Sequence, residues 1–356
     1  MHSVLGRAAV VCGAAISLYA PQARAQVEIH SRAAEITLAG RVHTQLASTS
    51  VSGERASEFF VRRARLTAEL EVNDWVSGKI QPDYGEGKIA LKDAYFRLTF
   101  APELRATIGQ FKRPFDLFEL TSSTRILVVE RTGGVAGVDA CAGPGGVCTL
   151  SRFTEKLGYS DRDIGVMFDG RAAGRVRYMA AVTNGAGANV ADENGARSFS
   201  GRVGVSLADD ITLAGNVGVH DYVNPNVGDE YATAFGGDLE IGDYTQGIHF
   251  QAGLVAGDNW RNLANDAPTT FVTFQGILTY RMPIGGNRYL SAIEPVGRVS
   301  WGDPDTDGAD DHGILLTPGL VFHITGRNKI GANVDVWSPA AGDTEWSLKV
   351  QSYLHF

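Results

Sequence analysis

The chain has 356 residues, with 32 basic and 40 acidic side chains, a formal net charge of −8 and 43 glycines. That acidic balance in an exported chain excludes nucleic acid as a partner. The mean hydropathy is −0.07, and no long apolar run follows the first 25 residues, which excludes helices that cross a membrane.

At the N-terminus, MHSVLGR carries one charged side chain, Arg7, and precedes the apolar stretch AAVVCGAAISLYA (8–20) and then PQARA. The stretch is too short to span a bilayer as a stable helix, and Ala23-Arg24-Ala25 is a small-x-small cleavage site. Residues 1–25 therefore read as a secretory signal peptide and 26–356 as a single mature domain. Cleavage would remove Cys12, Arg7 and Arg24 and no acid, leaving two cysteines, Cys141 and Cys148. In ACAGPGGVCT they flank a Gly-Pro-Gly turn, which in an exported chain suggests a disulfide pinning a loop tip. Two free thiols are the other reading, and the spacing rules out a CxxC redox motif.

The rest of the chain alternates. Ile36, Leu38, Val42 and Leu46 interleave with Thr37, Arg41, His43 and Gln45; Ala64, Leu66 and Leu70 with Arg63, Arg65, Thr67 and Glu69; Val76 and Ile80 with Ser77, Lys79 and Gln81; Ala94, Phe96, Leu98 and Phe100 with Asp93, Tyr95, Arg97 and Thr99. LRATIGQF (104–111), DIGVMF (163–168), VRYMAAVT (176–183), FSGRVGVSL (199–207), ITLAGNVGV (211–219), TAFGGDLEI (233–241), GIHFQAGLVA (247–256), FVTFQGILTY (271–280), AIEPVGRVSW (292–301), LLTPGLVFHI (315–324) and KIGANVDVW (329–337) follow. The terminal EWSLKVQSYLHF (345–356) places Trp346, Leu348, Val350, Leu354 and Phe356 against a polar face. The pattern predicts about 16 strands, each near the length of a tilted membrane strand.

Short turns (73–74, 101–103, 208–210, 242–243) alternate with long loops expected at 49–57, 184–198, 221–230, 257–269 and 302–312. Short connections on one side and long ones on the other are the signature of an outer-membrane barrel. A soluble sandwich also alternates, but it must bury its apolar face in a core, whereas a barrel in lipid removes every open edge. The expected fold is therefore all-β: a transmembrane antiparallel β-barrel whose last strand closes on the first, with Trp75, Phe100, Trp346 and Phe356 near the membrane interfaces.

One interval, about 114–161, lacks alternation, and a loop this long is usually functional. It is introduced by GQFKRPF, Leu-Thr-Ser-Ser at 120–123 and Val129-Glu130-Arg131. These residues, with GRVHTQL (40–46), FFVRRARL (59–66), LKDAYFRL (91–98) and AIEPVGRVSW (292–301), resemble the phosphate-selective porins of the O and P type. The resemblance implies a 16-stranded barrel, an in-folded constriction loop, a homotrimer and a pore that favours anions, phosphate or polyphosphate above all.

Parity places Arg41, Arg63, Arg65, Lys79, Arg97, Arg105, Arg177, Arg202, Arg298 and Lys349 toward the lumen; Lys112, Arg113, Arg125 and Arg131 are the candidates from the loop side, Lys112 only if the strand bulges there. Arginine outnumbers lysine 25 to 7. A guanidinium offers oxyanions a planar fork that stays charged, and rings of such side chains line anion pores. The competing reading is structural: Glu69, Glu71, Asp93, Asp238, Glu240, Glu294 and Asp335 share the same parity and could pair with the arginines to hold the wall. Acids also gather in the loops, most densely in DPDTDGADD (303–311). There Asp303, Asp305 and Asp307 match the start of a calcium loop, but Ile314 stands where the bidentate Glu belongs, so a solvated acidic loop facing lipopolysaccharide fits better.

No G-x-S-x-G, H-E-x-x-H or P-loop occurs, no cofactor is indicated, and the reading is not enzymatic. The function expected is passive diffusion of small anions such as phosphate across a Gram-negative outer membrane. The alternatives are a general porin with weak or cationic selectivity, or a non-conducting structural or adhesive barrel.

Overall fold

The structure is a computed structural model and describes residues 27–30, 34–51, 54–131, 134–135, 138–139, 150–192 and 194–356. The expected signal peptide and the Cys141–Cys148 tip lie outside the described residues. Sixteen antiparallel strands, from Glu35–Val51 to Glu345–His355, form one closed barrel. Each pairs with its sequence neighbour, and closure joins the last to the first in a register running from Trp346 opposite Ser50 to His355 opposite Arg41. A short strand, Val27–His30, adds to the first strand at Leu38–Glu35.

Alternation creates the two surfaces. On the terminal strand Trp346 and Leu354 point outward, while Glu345, Ser347, Lys349, Gln351 and Tyr353 are buried inside. Across neighbouring strands Phe168, Val182, Phe199, Val217, Phe235, Leu254 and Phe274 are exposed on the outer wall. That is an apolar band which water would not tolerate and outer-membrane lipid requires. Trp75, Phe100 and Phe356 sit on the outer face beside the short-turn end, and Trp346 beside the opposite end.

The short turns are where the sequence places them; at Asn73-Asp74 the Asn73 carboxamide accepts the N–H groups of Trp75 and Val76. Three expected loops are not loops. Residues 49–51 and 54–57, 221–230 and 257–269 continue as paired strands. Val51 pairs with Glu54, and the other two segments reverse at Asn224–Gly228 and Ala264–Ala267, the last after a register shift between Asn259 and Leu263. Their polar composition marks emergence from the lipid band, yet the backbone ladder persists in water. At Asn265 and Asp266, φ values of 51° and 65° give the two-residue turn that suits the strand twist.

The second strand, Glu54–Asn73, carries a β-bulge opposite His43 and Thr44. The extra residue, Arg62, breaks the alternation, so Arg62 and Arg63 both reach into the lumen.

Candidate functional site

Of the residues between Lys112 and Arg162, 113–131 and 150–161 fold back into the barrel. Two short helices, Leu117–Leu120 and Leu150–Lys156, stabilise this loop. Asp116 caps the first, accepting the Phe118 N–H at 2.8 Å, and also accepts the Thr154 hydroxyl at 3.0 Å, which ties the two helices together. Phe115, Phe118, Leu127, Leu150, Phe153, Leu157 and Tyr159 pack against Tyr222, Ala232, Val255, Phe271, Ile277 and Val296 of the inner wall. This apolar contact anchors the loop to the strands from Ile211 to Asp303.

Polar staples hold it elsewhere. Arg298 donates to the backbone oxygens of Glu130 and Arg131 at 2.9 and 3.1 Å, Lys329 to that of Ile126 at 3.0 Å, and the Val129 N–H donates to Asn333 at 2.8 Å. Behind them Arg298 and Lys349 share the carboxylate of Asp335, all three side chains fully buried. Glu130 binds Arg62 at 2.7 Å and Arg63 at 3.2 Å. Burial would raise the Glu130 carboxyl, but these guanidiniums outweigh it and hold it down to about 2. Asp116 goes the other way: burial, and then the Glu119 carboxylate, push it up to about 7.

The cations singled out by parity fall into two groups. The first is engaged with carboxylates. Arg63 and Arg298 are as above, and Arg65 meets Asp83 at 2.6 Å. Lys79 lies 3.5 Å from both Glu69 and Asp93. Arg105 pairs with Asp169, Arg202 with Asp238, and Lys349 with Asp335. On the loop side Lys112 and Arg131 each lie 3.2 Å from Glu119, and Arg113 lies 3.7 Å from Asp163. Lys112 thus turns inward despite its parity.

The second group makes no ion pair among the described residues. Arg41 donates to the Ser123 hydroxyl at 2.7 Å, and Arg97 to that of Thr107 at 3.0 Å with its guanidinium over the Tyr95 ring. Arg125 lies over the Tyr244 ring at 5.6 Å. Arg177 faces an open basin of about 670 Å³ beneath the loop.

That basin concentrates the unneutralised charge. Arg125, Arg171, Arg175, Arg177 and Arg202 line it, and among the described residues only Arg202 of these holds a carboxylate. The one acid in the lining, Glu240, already accepts from Tyr244 at 3.0 Å, Gln251 at 2.8 Å and His249. Its wall residues cluster at short turns, which places it at the periplasmic mouth. Arg171 escapes the parity reading because the strand expected at 163–168 continues to Ala172, keeping the inward parity of Asp169, and Arg175 escapes it because it lies in the tight turn after that strand. Arg62 escapes it through the bulge.

In the acidic loop, Asp303, Asp311 and His312 bring one ligand atom each within 4.8 Å of one another. Asp305 and Asp307 do not join them: Asp305 instead accepts from Asn262 at 3.2 Å and from the Asp307 N–H at 3.1 Å.

A family model described as phosphate-selective porin O and P matches residues 37–243. No curated protein matches the chain in sequence. Among solved structures, the outer-membrane channel DcaP of Acinetobacter baumannii aligns with a TM-score of 0.65 at 12% identity, over 92% of this chain and 99% of that one. An anion-selective porin from Comamonas acidovorans gives 0.63 at 13%, over 91% and 100%. The trimer form of OmpT from Vibrio cholerae gives 0.60 at 11%, over 90% and 100%. At these identities the likeness is one of fold.

Proposed function

This chain belongs to the phosphate-selective porin O and P family, and we propose that its pore favours small anions, phosphate among them, through the arginines of the lumen. It is an outer-membrane channel rather than an enzyme. The observation that carries the anion preference is the periplasmic basin, where Arg125, Arg171, Arg175 and Arg177 have no carboxylate partner among the described residues. In a water-filled lumen the local field governs permeation, so a cationic patch offsets the acidity of the outer loops. Several weakly competing guanidiniums let an anion exchange its hydration for N–H donors in steps and still leave. Arg41 and Arg97 extend the series toward the loop.

A homotrimer set in lipid and lipopolysaccharide is part of this proposal, supported by the trimer form of the Vibrio cholerae relative. A second reading has its own support. Arg63, Arg65, Arg105, Arg202 and Arg298 are each paired with an acid, Glu130 and Asp335 being shared with a second cation, which favours a general porin with weak or cationic selectivity. The zero-current potential of the purified protein in a planar bilayer under a KCl gradient separates the two. An anion-selective potential, with chloride current reduced by phosphate, supports the proposal; a cation-selective or null potential refutes it.

A further inference from the structure

We propose that the periplasmic basin selects small monocarboxylates with an apolar body over inorganic phosphate; this rests on the anion reading above and narrows it. The basin has two kinds of surface. Arg171 and Arg177 present guanidiniums from the wall. From the loop, the helix Leu117–Leu120 joins the lining beside Thr121, Ser122 and Arg125, and its orientation is fixed by its neighbours. Phe118 is buried in the loop core and Glu119 is held by Lys112 and Arg131, so Leu117 and Leu120, three residues apart on one helical face, turn to the basin. Met179, two residues along the wall strand from Arg177, and the Tyr244 ring beneath the Arg125 guanidinium add further apolar surface beside the cations.

A bare phosphate is hydrated all round and gains nothing from leucine side chains. It would have to shed water against them, which is unfavourable for any charged group. A carboxylate with a hydrocarbon tail satisfies both surfaces at once, with its oxygens on the guanidinium fork and its methylenes on Leu117, Leu120 and Met179. At about 670 Å³ the basin lies within the range of small-molecule sites.

The test is block of chloride current through the native protein in planar bilayers by acetate, butyrate, hexanoate and phosphate, with the KCl-gradient potential measured on the same preparation. The half-blocking concentration is expected to fall about two- to fourfold per methylene from acetate to hexanoate, with phosphate no better than acetate. L120Q is expected to flatten the chain-length series, and M179Q serves the same purpose should L120Q fail to fold. An anion-selective channel that acetate blocks, but with no chain-length dependence or with phosphate the strongest blocker, overturns this inference and leaves the anion channel standing. A chain-length series untouched by either substitution also overturns it. A cation-selective channel that none of the anions blocks overturns both.

Discussion

Arg171 and Arg177 stand directly opposite each other across the hairpin that reverses at Ala173-Gly174, two like charges in register at the mouth of the basin. Opposed like charges destabilise a strand pair by several tenths of a kcal/mol, roughly 0.2–1. A wall designed only for stability would place an acid at one of the two positions. We predict that R171Q leaves the barrel as stable as, or slightly more stable than, the native protein to heat, while its zero-current potential moves toward zero. A large loss of stability in R171Q would mean that the arginine is a wall element and has no part in selectivity.

Barrel closure rests on a contact at the chain end. The Phe356 and Gly40 backbones exchange hydrogen bonds at 2.8 and 3.1 Å, and a Cβ at Gly40 would lie 2.2 Å from the Phe356 ring. The terminal ring thus covers the glycine from outside, as aromatics do for strand glycines. G40V is predicted to lower the yield of heat-modifiable folded barrel, and F356A to relieve the clash, so that the double variant folds better than G40V alone. Strict additivity of the two losses in the gel-shift assay would rule out the contact as the cause.

The barrel itself is legible in the sequence because lipid and lumen impose opposite demands on successive residues, and Leu354, Tyr353 and Phe356 declare their sides by type alone. What alternation cannot report is partnership. Arg298 and Arg177 have the same inward parity, yet one is locked by Asp335 and the loop backbone while the other faces the open basin. The difference lies in residues distant in sequence. Nor can alternation survive an inserted residue, as at Arg62, or a tight turn, as at Arg175. The hairpins read as loops at 221–230 and 257–269 fail for another reason: past the lipid band, a polar strand and a polar loop have the same composition.

The triad of Arg298, Asp335 and Lys349 supports the loop from behind and is fully buried. Removing the shared carboxylate leaves two buried cations uncompensated, which costs about 3–5 kcal/mol. D335N is therefore predicted to be far more damaging to thermal stability than a substitution of Asp305 in the exposed loop. Where D335N still folds, its single-channel current should be noisier, since Arg298 carries the Glu130 and Arg131 backbone. Quiet, native-like currents from D335N would show that the apolar packing of Phe115, Phe153 and Tyr159 suffices to hold the loop.

Two loop carboxyls give this element opposite responses to pH. Asp116 is raised to about 7 by burial and then by Glu119. An acid whose folded pKa exceeds its unfolded value, near 4, favours the folded loop while protonated, so that contribution is lost as pH climbs from about 4 through 7. Glu130, held at about 2 by Arg62 and Arg63 against the pull of burial, stabilises the loop above about 4, and this contribution is lost as pH falls toward 2. The Asp116 effect is at most roughly 4 kcal/mol over its three pH units. The loop should be most firmly held near pH 4–5. Amide hydrogen exchange over residues 113–131, corrected for intrinsic rates, is predicted to be faster at pH 8 than at pH 5 in the native protein, with the difference shrinking in D116N because asparagine cannot titrate. Equal exchange at both pH values in the native protein would mean that Asp116 ionises without loosening its bonds to Phe118 and Thr154, and that the two loop helices stay clasped regardless of its charge.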